Sequence, residues 1–258
     1  MTKDTHPIRF VGAGPGDPEL ITVKGQKALR DADVVIYAGS LVPEALLKWT
    51  SKHATVLSSA PMHLEQIIET MTTAFAEGKK VVRLHTGDPS LYGAIFEQMR
   101  ELDKHRIPYS IIPGVTAAFA AAASMGIEYT LPEISQTLIL TRMAGKTPVP
   151  DAEALERLAS HKTSMVIYLS IKLVEQVEAT LRKAYGDTAS CAVVFRASQP
   201  EERIVLTQLK YLSRRVAEEK ITHQALIIVG DVLDAKKTGI DKKSKLYNKN
   251  FKHEYRKK

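Results

Sequence analysis

Ile8-Arg9-Phe10-Val11-Gly12-Ala13-Gly14-Pro15-Gly16-Asp17-Pro18 is the stretch whose reading decides the fold. Ile8 to Val11 reads as a short strand, and a helical pattern over Leu20 to Asp31 follows the glycines. Strand, glycine loop and helix in that order open a β-α-β unit. Glycine lets backbone approach a ligand closely and reach positive φ, while Pro15 removes a donor and stiffens the turn. The spacing is not a dinucleotide fingerprint. Gly12, Gly14 and Asp17 give G-x-G-x-x-D, so the third glycine is missing, and no Lys-Ser or Lys-Thr pair of a phosphate loop follows. Two readings stay open at this point: a nucleotide-like ligand at the loop, or a tight β-α turn alone.

The alternation continues outward. Val34–Tyr37, Lys80–Leu84 and Tyr109–Ile112 read as strands. Leu64–Glu77, stopped by Gly78, Ile95–Lys104 and the alanine-rich Thr116–Met125 read as helices. This order predicts a mostly parallel sheet with helices packed on it. A second set starts near residue 136, with strands Thr137–Thr141, Ser164–Leu169, Ala192–Phe195, Ile204–Thr207 and Ala225–Val229. Its helices are Leu155–Ser160, Leu173–Ala184 and Leu209–Glu219. Gly126 to Ser135 contains Pro132 and little periodicity, and is the expected linker. The expectation is therefore two α/β domains, residues 1–130 and 131–258, each a mixed or mostly parallel sheet flanked by helices.

Bulk properties narrow the function. With 258 residues and 44% hydrophobic content, the chain can bury proper cores. The single cysteine, Cys191, excludes an internal disulfide and a cysteine-rich metal site, and no other metal cluster is evident. It lies in the apolar run Cys191-Ala192-Val193-Val194-Phe195 and reads as a small core residue. Neither a signal-like apolar stretch nor a run of about 20 apolar residues is seen. A cytoplasmic protein with no membrane partner is expected. The net charge of +7 sits largely in the last 23 residues, Lys236 to Lys258. That segment is a solvated lysine-rich tail or a partner for an acidic ligand, such as nucleic acid or a small polycarboxylate. No interleaved aromatic-basic module supports nucleic acid.

Two further loops follow strands. His85-Thr86-Gly87-Asp88-Pro89-Ser90-Leu91-Tyr92-Gly93 and Pro113-Gly114-Val115-Thr116-Ala117-Ala118 carry small and turn-forming residues. Ligands of open parallel sheets bind beyond the carboxyl ends of strands. Asp88 suits a ligand acceptor or a helix N-cap, and Thr116 a ligand donor or a cap. Three such loops make a stronger case for one pocket than any one alone.

These motifs, together with Leu20-Ile21-Thr22-Val23-Lys24-Gly25 and Ala225-Leu226-Ile227-Ile228-Val229-Gly230, resemble the tetrapyrrole (corrin/porphyrin) methylase family over nearly the whole chain. The resemblance implies two α/β domains, a homodimer, and S-adenosylmethionine bound between the domains. By motif, cofactor contacts fall at Pro15, Thr86, Gly87, Asp88, Leu91, Thr116 and Ala117, and later in the chain at Leu169, Ala197, Ala225 and Leu226. Family members often have methionine and glycine where this chain has Leu169 and Ala197.

Within the family, Tyr37-Ala38-Gly39-Ser40-Leu41-Val42, Met62-His63-Leu64-Glu65, Gln136-Thr137-Leu138-Ile139-Leu140-Thr141-Arg142 and Gly145-Lys146-Thr147-Pro148-Val149-Pro150 resemble the branch acting on C-11 of precorrin-4. Ser244-Lys245-Leu246-Tyr247 and Phe251-Lys252-His253 resemble it too. The uroporphyrinogen-III branch has an aspartate where this chain has Ala38, and a basic residue that Leu57-Ser58-Ser59-Ala60-Pro61 lacks. The implied activity is methylation of C-11 of (cobalt-)precorrin-4 to (cobalt-)precorrin-5 in cobalamin biosynthesis, with the proton-handling residue unassigned. A polycarboxylate macrocycle needs basic and hydrogen-bonding residues around it. His63, Arg83, His85, Arg142, Lys146 and Arg196 are the candidates. The alternatives are a methyltransferase for C-17 or C-20, or a tetrapyrrole-binding protein without turnover.

Overall fold

A computed structural model of the chain describes residues 6–39, 41–235, 251–252, 254 and 256. Ser40 and most of the basic tail, including Ser244-Lys245-Leu246-Tyr247 and His253, lie outside the described residues. The chain divides into two compact units. The first holds residues 1–121 and 196–200, the second residues 122–195 and 201–258.

In the first unit, β1 (Ile8–Gly12), β2 (Val34–Tyr37), β3 (Thr55–Ser58), β4 (Val81–His85) and β5 (Tyr109–Ile112) form one sheet in the order β3-β2-β4-β1-β5. Every pair is parallel. Strands buried on both faces read as continuous apolar runs rather than alternating ones, which is why Val34-Val35-Ile36 and Val81-Val82 carry so clear a signal. Alternate side chains feed two cores. Ile8, Phe10, Val34, Ile36 and Val81 pack with Ile68 and Met71 of α2 (Leu64–Ala76) and Leu102 of α3 (Ile95–Lys104). Val11, Val35, Val82 and Leu84 pack with Ala28 and Leu29 of α1 (Val23–Arg30).

Two details differ from the sequence reading. The first helix begins at Val23, not Leu20, because two side chains divide the segment. The Asp17 carboxylate accepts from Glu19 N at 2.8 Å and closes a 3-10 turn over Pro18–Leu20. The Thr22 hydroxyl then accepts from Gly25 N at 3.1 Å as the N-cap of α1. The edge strand β3 was not expected, since four residues between polar flanks, half of them exposed, leave little pattern to read.

The second unit is a mixed sheet in the order β6-β7-β10-β8-β9. Its strands are β6 (Leu138–Arg142), β7 (Ser164–Tyr168), β8 (Ser190–Phe195), β9 (Arg203–Gln208) and β10 (Ala225–Val229). Only β6 and β7 run parallel; β10 is antiparallel to both neighbours and β9 to β8. Helices α5 (Leu155–Ala159), α6 (Val174–Tyr185) and α7 (Leu212–Glu218) supply Leu155, Leu181 and Leu212 to a core that includes fully buried Cys191. The expected helix Leu209–Glu219 opens as a 3-10 turn, Leu209–Tyr211, before α7. In the chain, α4 (Ala117–Met125) spans the boundary between the two units. The segment after it is pinned to the second unit: Ser164 Oγ donates to Tyr129 O at 2.7 Å, and Ser164 N donates to Ser135 Oγ at 3.1 Å. Among the described residues, no helix is long and apolar enough to cross a membrane.

Candidate active site

The carboxyl ends of β1, β4 and β5 are adjacent in the first sheet, so the three loops that follow them meet. They interlock through glycines. Gly14 and Gly87 exchange backbone hydrogen bonds at 3.1 and 2.8 Å, and Ala13 N donates to His85 O at 2.7 Å. A β-carbon on Gly12 would lie 2.5 Å from Gly114 N, and one on Gly114 would lie 2.0 Å from Gly87 O. The glycines of the β1 loop and of Pro113-Gly114 therefore let backbone pack on backbone.

Asp88 ties two of these loops together. One carboxylate oxygen accepts from Ser90 N at 2.8 Å and from the Ser90 hydroxyl; the other accepts from Gly114 N at 2.8 Å. Burial raises its pKa, but these hydrogen bonds outweigh it and hold the carboxyl below its ordinary value. Asp88 is not a helix N-cap, since α3 starts only at Ile95. Its first role is to fix the loop geometry. Residues 196–200 complete this cluster: Ser198 Oγ accepts from Asp17 N at 3.0 Å, and Gln199 Nε2 donates to Pro15 O at 3.3 Å. Ser198 and Gln199 were not singled out from sequence, because a lone polar pair after a strand carries no pattern.

Of the cofactor candidates, Pro15, Thr86, Gly87, Asp88, Leu91, Thr116 and Ala117 lie on these three loops or directly after them, and Ala197 lies in the 196–200 segment. Gly87 has φ +60, and a β-carbon there would meet nothing closer than Thr116 Cα at 3.7 Å. An open backbone face beside buried Thr116 is a cradle that a flat, polar ligand could occupy. Leu169, Ala225 and Leu226 belong to the second unit, where Leu169 follows β7 and Ala225 and Leu226 begin β10, at one end of that sheet. Ala225 and Leu226 are buried, whereas Leu169 is 67% exposed. Tyr92 and Ala94 after the β4 loop, Leu169 after β7, and Arg196 and Ser198 beside the glycine loop are five of the ten described non-glycine residues with positive φ. Such residues cost about 1–3 kcal/mol each and cluster at ligand sites.

Beside the loops, a cavity of about 300 Å³ in the first unit is lined by Ala38, Ser59, Arg83, His85, Tyr92 and Gln98, among others. Ala38 and Ser59 follow β2 and β3 and line this cavity, so the segments read in sequence as departures from the uroporphyrinogen-III branch meet here. Arg83 is buried; its Nε donates to Gln98 Oε1 at 3.1 Å and its Nη1 to Ile36 O at 3.2 Å. Burial lowers its pKa to about 10. His85 is also buried, stacked on Phe10 at 6.0 Å, and burial plus the Arg83 charge lower its pKa to about 3. His85 is therefore a neutral hydrogen-bonding group, not the cation a basic trough residue would be. Gln98 was missed in the sequence, although a glutamine in the Ile95-x-x-Gln98-x-x-x-Leu102 buried stripe is a readable signal.

The remaining trough candidates lie elsewhere. His63 sits exposed at the start of α2, 2.8 Å from Glu65. Arg142 ends β6, and its guanidinium donates to Thr147 O at 3.1 Å and Pro148 O at 2.6 Å. It holds the loop that carries exposed Lys146. Arg196 precedes Ala197 in the segment beside the glycine loop.

An all-parallel sheet whose loops interlock at adjacent strand ends is the frame of an α/β enzyme or binding protein of small molecules. The chain belongs to the tetrapyrrole (corrin/porphyrin) methylases, whose family model matches residues 7–213. It is 53% identical over 251 residues to a cobalt-precorrin-4 C(11)-methyltransferase of Methanocaldococcus jannaschii, covering 97% of this chain and 96% of the relative. An X-ray structure of a cobalt precorrin-4 methyltransferase, a cobalamin biosynthetic enzyme, superposes with a TM-score of 0.86 at 46% identity, covering 88% of this chain and 96% of that one. A uroporphyrin-III C-methyl transferase from Thermus thermophilus, complexed with S-adenyl homocysteine, gives a TM-score of 0.74 at 27% identity and covers 89% and 100%.

Proposed function

We propose that the protein is an S-adenosylmethionine-dependent methyltransferase that methylates C-11 of cobalt-precorrin-4 to give cobalt-precorrin-5 in cobalamin biosynthesis. The observation that carries this reading is 53% identity, over 97% of the chain, to a relative named for that reaction. The glycine-locked loops support it, since they leave room at Gly87, where a β-carbon would meet nothing closer than Thr116 Cα at 3.7 Å. Gly87, Thr116 and Ala117 would hold the cofactor in the first unit, and Asp88 would keep their loops in register. When bound, S-adenosylmethionine supplies an electrophilic methyl group on sulfur. The work left to this chain is to hold C-11 in line with that group, which is catalysis by proximity and orientation. The methyl group would pass to C-11 with S-adenosylhomocysteine as the leaving group, and the positive charge left on the macrocycle would be relieved by loss of a proton to water or by charge redistribution. No protein nucleophile is needed. We further propose that it works as a cytoplasmic homodimer, which light scattering on the purified protein tests.

The experiment is incubation with methyl-labelled S-adenosylmethionine and cobalt-precorrin-4, with the labelled position read by NMR. A new methyl signal at C-11 is expected. Label at C-17 or C-20 would reassign the regiochemistry, and no label at all would leave a binding protein.

A further inference from the structure

The cavity at the ends of β2 and β4 contains an unbalanced charge. Arg83 is only 4% exposed, and no carboxylate pairs with it among the described residues. Its two hydrogen bonds go to neutral oxygens, Gln98 Oε1 and Ile36 O. A guanidinium carries five N–H donors, so donors remain when both are made. Taking a cation out of water without a counter-ion is costly, and neutral acceptors offset that only in part. Glu97 is the carboxylate that lines the same cavity, and it forms no ion pair with Arg83. Two residues along the strand, on the same face, His85 is also 4% exposed, and its Nε2 is shut off from solvent with no hydrogen-bond partner. Two buried polar groups on one wall, one charged and unpaired and the other without a partner, are complementary to an anion that can also make a hydrogen bond.

We infer that Arg83 and His85 form a buried carboxylate subsite that takes one acidic side chain of the macrocycle. The inference deepens the function proposed above and rests on it for the identity of the ligand. A carboxylate fits where phosphate or sulfate would not need a neutral imidazole beside the cation. His85 stays uncharged next to Arg83, so it offers a hydrogen bond without adding repulsion to the guanidinium. Gln98 positions Arg83 through its side-chain oxygen, and is itself held by donation from Nε2 to Ala94 O at 3.0 Å. The 300 Å³ cavity admits an acetate or propionate arm while the ring stays outside.

Gln98→Glu tests this with almost no change of shape. It places a carboxylate where Gln98 Oε1 already accepts from Arg83, and so fills the counter-ion role from within. The expected result is a KM for cobalt-precorrin-4 raised about tenfold, with kcat and the affinity for S-adenosylmethionine little changed. Gln98→Met removes the same acceptor without adding charge, and its KM should rise far less. His85→Asn should raise KM while leaving thermal stability at neutral pH near that of the parent. Equal KM values for Gln98→Glu, His85→Asn and the parent would overturn the subsite, as would matching losses in Gln98→Glu and Gln98→Met. Should the parent transfer no methyl group, the proposed reaction fails, but the subsite is still read by calorimetry with uroporphyrin III, a polycarboxylate macrocycle. The parent should then bind it more tightly than Gln98→Glu, and equal affinities would overturn the subsite on their own.

Discussion

Gly114 and His85 show what single residues contribute here. A β-carbon at position 114 would sit 2.0 Å from Gly87 O, a backbone atom that cannot rotate away. Gly114→Ala should therefore destabilise the protein by about 3 kcal/mol, the upper end for overpacking, and weaken S-adenosylmethionine binding in calorimetry. Gly78→Ala meets open space and pays only for its positive φ, so a much smaller loss in urea unfolding is its expected outcome. For His85, the ordinary pKa of 6.5 falls to about 3 in the folded protein. Between those values the unfolded chain holds the proton and the folded chain does not. Stability contributed here is thus complete above pH 6.5 and is lost as pH falls toward 3, by at most about 1.4 kcal/mol per pH unit. The urea midpoint of His85→Asn should fall less steeply over that range than the parent's; parallel curves would show that His85 is not the group. The glycines of Gly12 to Gly16 were legible in sequence as a site for close approach. What they approach was not, because their partners Gly87 and Gly114 come from distant segments whose contact only the sheet order creates.

Helix and strand ends show a similar division. Residues with a periodic apolar pattern, such as those of α2, α3 and β10, stand in the structure within a residue or two of where the pattern put them. The start of α1 did not, since capping by Thr22 outweighs the apolar Leu20 and Ile21 before it. Thr22 also donates its hydroxyl to Pro113 O at 3.3 Å, and so joins the helix to the β5 loop. Thr22→Ala should cost about 1 kcal/mol, measured by thermal unfolding, and Thr22→Ser should restore most of it. Strand β3 was illegible because an edge strand half open to solvent needs no alternation of its own. The buried Arg83 in β4 was legible only as a basic residue in an apolar run; its pairing with α3 depends on which face of the sheet it occupies.

For the whole molecule, three separate cores carry the fold, one on each face of the parallel sheet and one in the mixed sheet. A ligand that binds only the folded state raises stability by about 2.7 kcal/mol at a hundred times its Kd. S-adenosylmethionine at that level should raise the melting temperature, and S-adenosylhomocysteine should do the same; no shift with either would count against the cofactor. The last 23 residues carry ten Lys or Arg and two Asp or Glu, so the rest of the chain is close to neutral. Deleting them should abolish retention on a cation exchanger at neutral pH without lowering methyl transfer, if the tail is a solvated segment.

The strand order has one more consequence. β1 pairs with β4 and β5 and not with β2. During synthesis, Ile8-Arg9-Phe10-Val11 must therefore wait until Val81–His85, and then Tyr109–Ile112, have left the ribosome. At roughly 5–20 residues per second that is several seconds. Throughout it, an apolar segment with two open edges stands in the nascent chain, and its glycine loop has nothing to close against. The ligand site is thus among the last features of the first unit to exist, and a chaperone that shelters the amino-terminal segment would act before any cofactor could.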